Sequence, residues 1–445
     1  MNKAAVVVAA LCSLASGCHD KRDTGTLGMW PRTVQPRLSG MKWQACGDPE
    51  CGRAKPAEEE SCPEIISSRE EALQVLVSQR HCTDNAIARL QAFASVDPGA
   101  LSDVAAAFYL RAYREDHLSD LLAALETAQR AVNAMPENPA ARFNLALIQE
   151  TAGLHDAAIR SWDAFAKDDE TPWRAEARAH LAHLRAPDAA AQWTSNVAQL
   201  RTALQRGDNA AVRKLIAHYP TPAMDYFEQV VLPQNDAVAA TTLATELSAR
   251  LGGDPYPLDA AQAMTRAHAG HVAFAHAQFA EAAPLLRSAG SPLYAVAEIE
   301  HALSFRFDSS DTSERALALL EPLEAEARKH RYAHLLARIQ STRGYLHYRR
   351  GQFLIAMRDY HAALDTFSRF RDLEKIASIH RSNNGNYRLL GQPELAWREG
   401  LQAVRLLPRT VNSRRRHVIL GEAAEAALAL GYRRAALMYQ EVALR

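Results

Sequence analysis

Near the end of this 445-residue chain, one pair of small residues recurs in register. Gly351 and Ala356 are followed by Gly391 and Ala396, then by Gly431 and Ala436. The step is about 40 residues, the period of stacked helical hairpins. A chain with such a period buries its apolar faces between neighbouring hairpins, so its length does not force a division into globular domains. Gly344 stands where a first helix must approach its partner closely. Ala356 and Tyr360 lie i, i+4 apart on the facing helix. Gly351 ends the first helix because glycine accepts the left-handed conformation found there. The rest of the chain is rich in Ala and Leu, with aromatics at 7% and no alternating Val/Ile runs, which predicts helix throughout.

The run from Gly344 through Gly351, Ala356, Tyr360, Ala363 and Leu364 resembles a tetratricopeptide repeat. A second match is Asn144, Leu145, Ala146, Gly153, Asp156, Ala158 and Trp162. The resemblance implies an all-α, tetratricopeptide-like helical-repeat solenoid. The run from Gly99 to Tyr109, with Leu121 to Leu125 and Asn138 to Ala146, makes residues 82–184 also resemble the N-terminal repeats of bacterial proteins that end in a CHAT domain, a caspase-like peptidase. No Cys follows Cys82, so no residue inherits the catalytic His or Cys of that module. The expected organisation is N-terminal repeats over 63–187, beginning with a helix at Pro63, then an irregular, proline-interrupted connector over 188–254. A C-terminal array over 255–445 follows.

Residues 1–18 read as a targeting segment: Lys3, an apolar core from Ala4 to Leu14, then Leu14-Ala15-Ser16-Gly17-Cys18. The apolar core is too short to span a bilayer. The last five residues resemble a lipobox, which implies acylation of Cys18, and by further resemblance His19 after it implies the outer membrane of a Gram-negative envelope. Several acyl chains anchor stably where one does not. Residues 19–62, rich in Pro and charge, read as a disordered tether in which Trp30 and Trp43 are candidates to dock onto the first repeats. Four further cysteines, Cys46, Cys51, Cys62 and Cys82, suggest two disulfides in an oxidising compartment. Three connectivities are open, with Cys46–Cys51 and Cys62–Cys82 favoured. Paired CxxC spacing for a zinc site is missing.

No phosphate loop, nucleophile elbow or HExxH helix appears, so no enzyme activity, cofactor or metal is expected. His268 and His271, with His276 beyond, and His180 with His183 share helical faces at i, i+3, but metal ligation would need a further ligand from another segment. Arg414 to His417 is a short charge run in a chain of zero net charge, which argues against nucleic acid. The surface singled out is the concave face of the C-terminal first helices, where the resemblance places Arg338, Tyr345, Tyr348, Arg349, Arg381 and Arg388. From Arg343 onward, basic residues exceed acidic ones by about nine, so an acidic peptide or protein partner fits. The last helix carries no polar cap, which suggests a partner, a further domain or a homo-oligomer through that end. The functional reading is a membrane-anchored interaction scaffold. Its alternatives are the regulatory repeats of a CHAT peptidase or a lipoprotein adaptor of an envelope export machine.

Overall fold

A computed structural model describes residues 36–39, 62–78, 82–167, 173–305, 310–412 and 415–444. Cys18, Cys46, Cys51, Trp30, Trp43 and the targeting segment lie outside the described residues. Among those described, every regular element is helical. The first hairpins are α1 (Arg69–Ser78) with α2 (Thr83–Ala94), and α3 (Leu101–Arg114) with α4 (Asp120–Ala134). Next come α5 (Pro139–Thr151) with α6 (His155–Ala166), and then α7 (Arg174–Leu184). The middle holds α8 (Ala189–Gln205), α9 (Asn209–Ile216), α10 (Pro220–Tyr226) and α11 (Ala237–Arg250), with a π-helical turn at Phe227–Val231 after α10. Then follow α12 (Tyr256–Ala263), α13 (His268–Ala275), α14 (Phe279–Ser288), α15 (Leu293–Ser304) and α16 (Ser310–His330). The last three hairpins are α17 (Ala333–Arg349) with α18 (Phe353–Phe370), α19 (Leu373–Leu389) with α20 (Pro393–Leu406), and α21 (Arg416–Ala429) with α22 (Arg433–Ala443).

The helix expected from Pro63 starts instead at Arg69. Ser68 Oγ accepts from the Glu71 N–H at 3.1 Å, and Glu71 Oε2 accepts from the Ser67 N–H at 2.7 Å. The first bond satisfies one donor of the opening turn, and the pair together fix where the helix begins. Cys62 is bonded to Cys82, with Cα atoms 5.4 Å apart, beside a small core of Leu73, Leu76, Ile87 and Leu90. Closing that 20-residue separation stabilises the folded state by about 3 kcal/mol in the chain-entropy account.

One corner is used throughout. Gly153, Gly207, Gly290, Gly351, Gly391 and Gly431 all have φ between +64° and +89°. The residue after each donates its N–H to a carbonyl five back: Leu154 to Gln149, Gln352 to His347, Gln392 to Tyr387 and Tyr432 to Ala427, at 2.9 to 3.0 Å. This double bond pattern satisfies the last carbonyls of the first helix while turning the chain. Ala277, Arg331 and Arg371 make the same turn with φ of 59°, 61° and 53°, without glycine. Gly344 meets a different demand, since a Cβ there would lie 2.9 Å from the Tyr360 ring and 3.1 Å from the Ala356 carbonyl oxygen.

Packing does not break at residue 254. One apolar cluster runs from Ala189 through Leu243 and Leu293 to Phe370. Asp254 Oδ2 accepts from the His334 N–H at 2.7 Å, and His334 Nε2 lies 3.0 Å from Asp372 Oδ2, all three residues being buried. The supposed tether is also not wholly free, because Pro36 and Arg37 are buried against α5 and α7.

The C-terminal end is covered in part, because the last helices pack on the segment from Asp116 to Asp156. The fully buried Trp397 donates its indole N–H to the Leu118 carbonyl at 2.8 Å. Tyr439, likewise buried, donates to the Ala152 carbonyl at 2.6 Å, and the two rings meet edge-on at 5.7 Å. Glu126 Oε1 accepts from the Arg434 and Ala435 N–H groups at 2.8 and 3.1 Å, placing a carboxylate at the positive end of α22. Arg398–Asp116 (2.6 Å) and Arg416–Asp156 (3.2 Å) flank them. These contacts join α20 and α22 to the segment from Asp116 to Asp156, while Leu428, Leu437 and Leu444 stay exposed.

Gly153 sits on this seam. A Cβ there would come 2.4 Å from Val404 Cγ1, whereas around Gly351 nothing lies within 4 Å. Urea unfolding should show Gly351→Ala costing about 1 kcal/mol, the left-handed backbone term alone. Gly153→Ala should cost clearly more, and Val404→Ala should recover part of the excess. Equal costs at the two glycines would contradict the seam.

Candidate functional site

The repeat period decides which side chains share the inner face. Arg338 on α17, Ser378 on α19 and Val418 on α21 are equivalent positions one period apart, and all three line one cavity of about 500 Å³. On α17 the lining continues at helical spacing with Ser341, Thr342 and Tyr345. On α19 it comprises Lys375, Ser378, Arg381 and Ser382. Glu300 on α15 and Arg415, just before α21, complete the rim. The volume is in the range of small-molecule and peptide side-chain pockets.

Of the six residues singled out from sequence, Arg338, Tyr345 and Arg381 line this cavity, while Tyr348, Arg349 and Arg388 do not. Two of the arginines are also committed elsewhere. Arg338 Nη1 donates to both carboxylate oxygens of Glu228, at 2.8 and 3.1 Å, and Glu228 also accepts from the Tyr256 hydroxyl at 2.7 Å. Burial alone would lower Arg338, but Glu228, backed by Tyr256, Asp225 and Glu300, holds it above the ordinary guanidinium range. Arg338 thus forms part of the floor rather than a docking group. Arg388 pairs with Glu425 at 2.6 Å and Glu422 at 3.4 Å on α21. Tyr348 fills the space beside Gly385, where a Cβ would lie 3.4 Å from its hydroxyl oxygen.

Three cations remain turned to the cavity. Arg381 makes only a 3.3 Å bond to the neighbouring Ser382 hydroxyl. Among the described residues, neither the Lys375 nor the Arg415 side chain makes a hydrogen bond or ion pair. Burial holds the Lys375 ammonium below its ordinary range, Arg338 adding to the effect while Asp225 and Asp372 oppose it. An anion placed here would relieve that penalty. The buried Tyr360 ring forms one wall, its hydroxyl pushed up to about 12 by burial. An adjoining cavity of about 360 Å³ shares Lys375 and Arg415 and brings in Trp193 and Asp225.

Sequence reading missed Lys375 and Arg415. Lys375 stands one helical turn before Ser378, the equivalent of Arg338, so the period itself could have found it. Arg415 and Arg416 belong to the short charge run from Arg414 to His417, and their two roles differ. The structure sets Arg415 on the rim and spends Arg416 on Asp156 across the seam. Two of the histidines singled out from sequence have protein neighbours. His271 is buried at 3.2 Å from Ser291 Oγ and lowered to about 4 by burial. His180 stacks on Trp162 at 4.6 Å and contacts Glu150 at 2.9 Å.

Because the Arg338–Glu228 pair is buried, removing one partner strands the other. Arg338→Met should lower unfolding free energy by about 3–5 kcal/mol, and adding Glu228→Gln should restore most of it. Guanidinium melts of the two variants check this. An Arg338→Met protein as stable as the parent would return Arg338 to the list of docking residues.

No family model matches the sequence, and no curated protein is significantly similar to it. Among solved structures, the chain is similar to the TPR domain of P58(IPK), with 15% identity, 84% of this chain and 90% of that one covered, and a TM-score of 0.26. It is similar to yeast Tom70 at 13% identity, covering 84% and 83%, with a TM-score of 0.31. The APC/C hetero-tetramer Cut9–Hcn1 matches at 14% identity, covering 85% and 87%, with a TM-score of 0.28. Scores of this size add nothing to what the helices themselves establish. By those helices, paired and stacked in chain order, the chain is an all-α, tetratricopeptide-like helical-repeat solenoid.

Proposed function

We propose that this protein is an interaction scaffold whose inner C-terminal face holds an acidic segment of a partner protein, and that it works from a membrane to which acyl chains on Cys18 attach it. The observation that carries the first part is the cavity bearing Lys375, Arg381 and Arg415, none of whose side chains hydrogen-bonds or ion-pairs with a carboxylate among the described residues. Guanidinium groups bind carboxylates through paired, charge-assisted bonds, and the hydroxyls of Ser341, Thr342 and Ser378 supply further partners. Tyr345 adds rigid contact area. The anchor rests on the sequence from Lys3 to Cys18. This reading assigns the protein no chemistry of its own.

A labelled peptide rich in Asp and Glu, followed by fluorescence anisotropy on the full chain, tests the groove. Arg381→Ala should weaken binding about tenfold or more, the worth of one charge-assisted bond, without lowering stability. Raising salt from about 50 mM to about 500 mM should weaken it further by screening. Affinity indifferent to both would remove the groove from the account. For the anchor, Cys18→Ser should move the protein from the membrane fraction of its native cells to the soluble one. Unchanged membrane retention would refute it.

A further inference from the structure

Residues 36–39 are held against the N-terminal helices in the manner of a bound peptide. Asn144 Oδ1 accepts from the Arg37 N–H at 2.7 Å, and its Nδ2 donates to the Arg37 carbonyl at 2.8 Å. One side-chain amide thereby clamps both main-chain groups of one residue, and Ser102 Oγ, at 3.1 Å from the same Nδ2, orients it. Two residues on, the Ser39 N–H donates to Asp103 Oδ1 at 2.9 Å. Such contacts read an extended backbone and are indifferent to its side chains.

Selectivity lies in what surrounds the Arg37 side chain. Its guanidinium sits 4.0 Å from the centre of the Phe143 ring and 4.9 Å from that of Trp173, while Glu176 binds its end. The residue is 2% exposed. Burial lowers it to about 10, with Glu176 opposing, so it stays charged at neutral pH. A planar cation fits flat on aromatic faces, whereas the compact, strongly hydrated ammonium of lysine does not. Asp103, Asn144 and Glu176 stand on α3, α5 and α7, a surface separate from the C-terminal cavity.

We propose that this surface is an arginine-reading groove for an extended segment of a partner protein, with residues 36–39 as its resident competitor. A tethered segment acts at an effective concentration in the millimolar range. An incoming segment must therefore add flanking contacts, or meet a groove whose own arginine is gone.

The test uses a labelled peptide with the sequence Gln-Pro-Arg-Leu-Ser-Gly, titrated by anisotropy into the full chain and into its Arg37→Ala variant. The variant should bind the peptide at least about tenfold more tightly than the parent does, since the competitor is weakened. A lysine-for-arginine peptide should bind the variant at least about tenfold more weakly. Adding Trp173→Leu, which removes one of the two aromatic faces, should narrow that preference. If Arg37→Ala loses its helical circular dichroism, Arg37→Lys, which keeps a charge on Glu176, takes its place in the same comparison. A folded variant that fails to bind the peptide, or that binds arginine and lysine peptides alike, overturns the proposal.

Discussion

The seam between Trp397 and Leu118, 279 residues apart in sequence, is the contact on which the rest of the structure depends. A solenoid of helical hairpins is otherwise one-dimensional: every unit leans on two neighbours and the last unit leans on one. Here α20 and α22 lean on the segment from Leu118 to Gly153. Tyr439 reaches Ala152, Val404 fills the space over Gly153, and Glu126 faces the start of α22.

The seam also explains where the charges go. The N-terminal side of the seam offers Asp116, Glu126 and Asp156, and the C-terminal side answers with Arg398, Arg416 and the amide end of α22. Part of the basic excess after Arg343 is consumed in this way, and part in pairs between units such as Arg388–Glu425. Of the remaining cations, Lys375, Arg381 and Arg415 meet at one cavity. An inner face with a net positive centre thus emerges from a chain of zero net charge.

What could be read in advance followed from local repetition. Gly351, Gly391 and Gly431 announce their corners because glycine alone takes a left-handed turn without cost, and Gly344 announces a close crossing. The equivalent corners at Ala277, Arg331 and Arg371 were silent, since ordinary residues occupy them under strain supplied by the packing. The seam was silent for another reason. A contact such as Tyr439 to Ala152 spans 287 residues and belongs to no period. The same holds for Arg338, whose partner Glu228 comes from the π-helical turn 110 residues earlier. Position 338 was legible as inward-facing, but its pairing was not. Arg37 lay in a stretch whose composition spoke for disorder, because four docked residues cannot alter the character of about forty.

Hydrogen exchange on the parent and on a Trp397→Leu variant tests the seam most directly, read separately over residues 101–166 and 393–443. If the two segments hold each other, losing one indole on α20 must accelerate exchange in both together, including α4 and α5. Acceleration confined to 393–443, with the N-terminal helices as protected as before, would mean that the seam carries no weight.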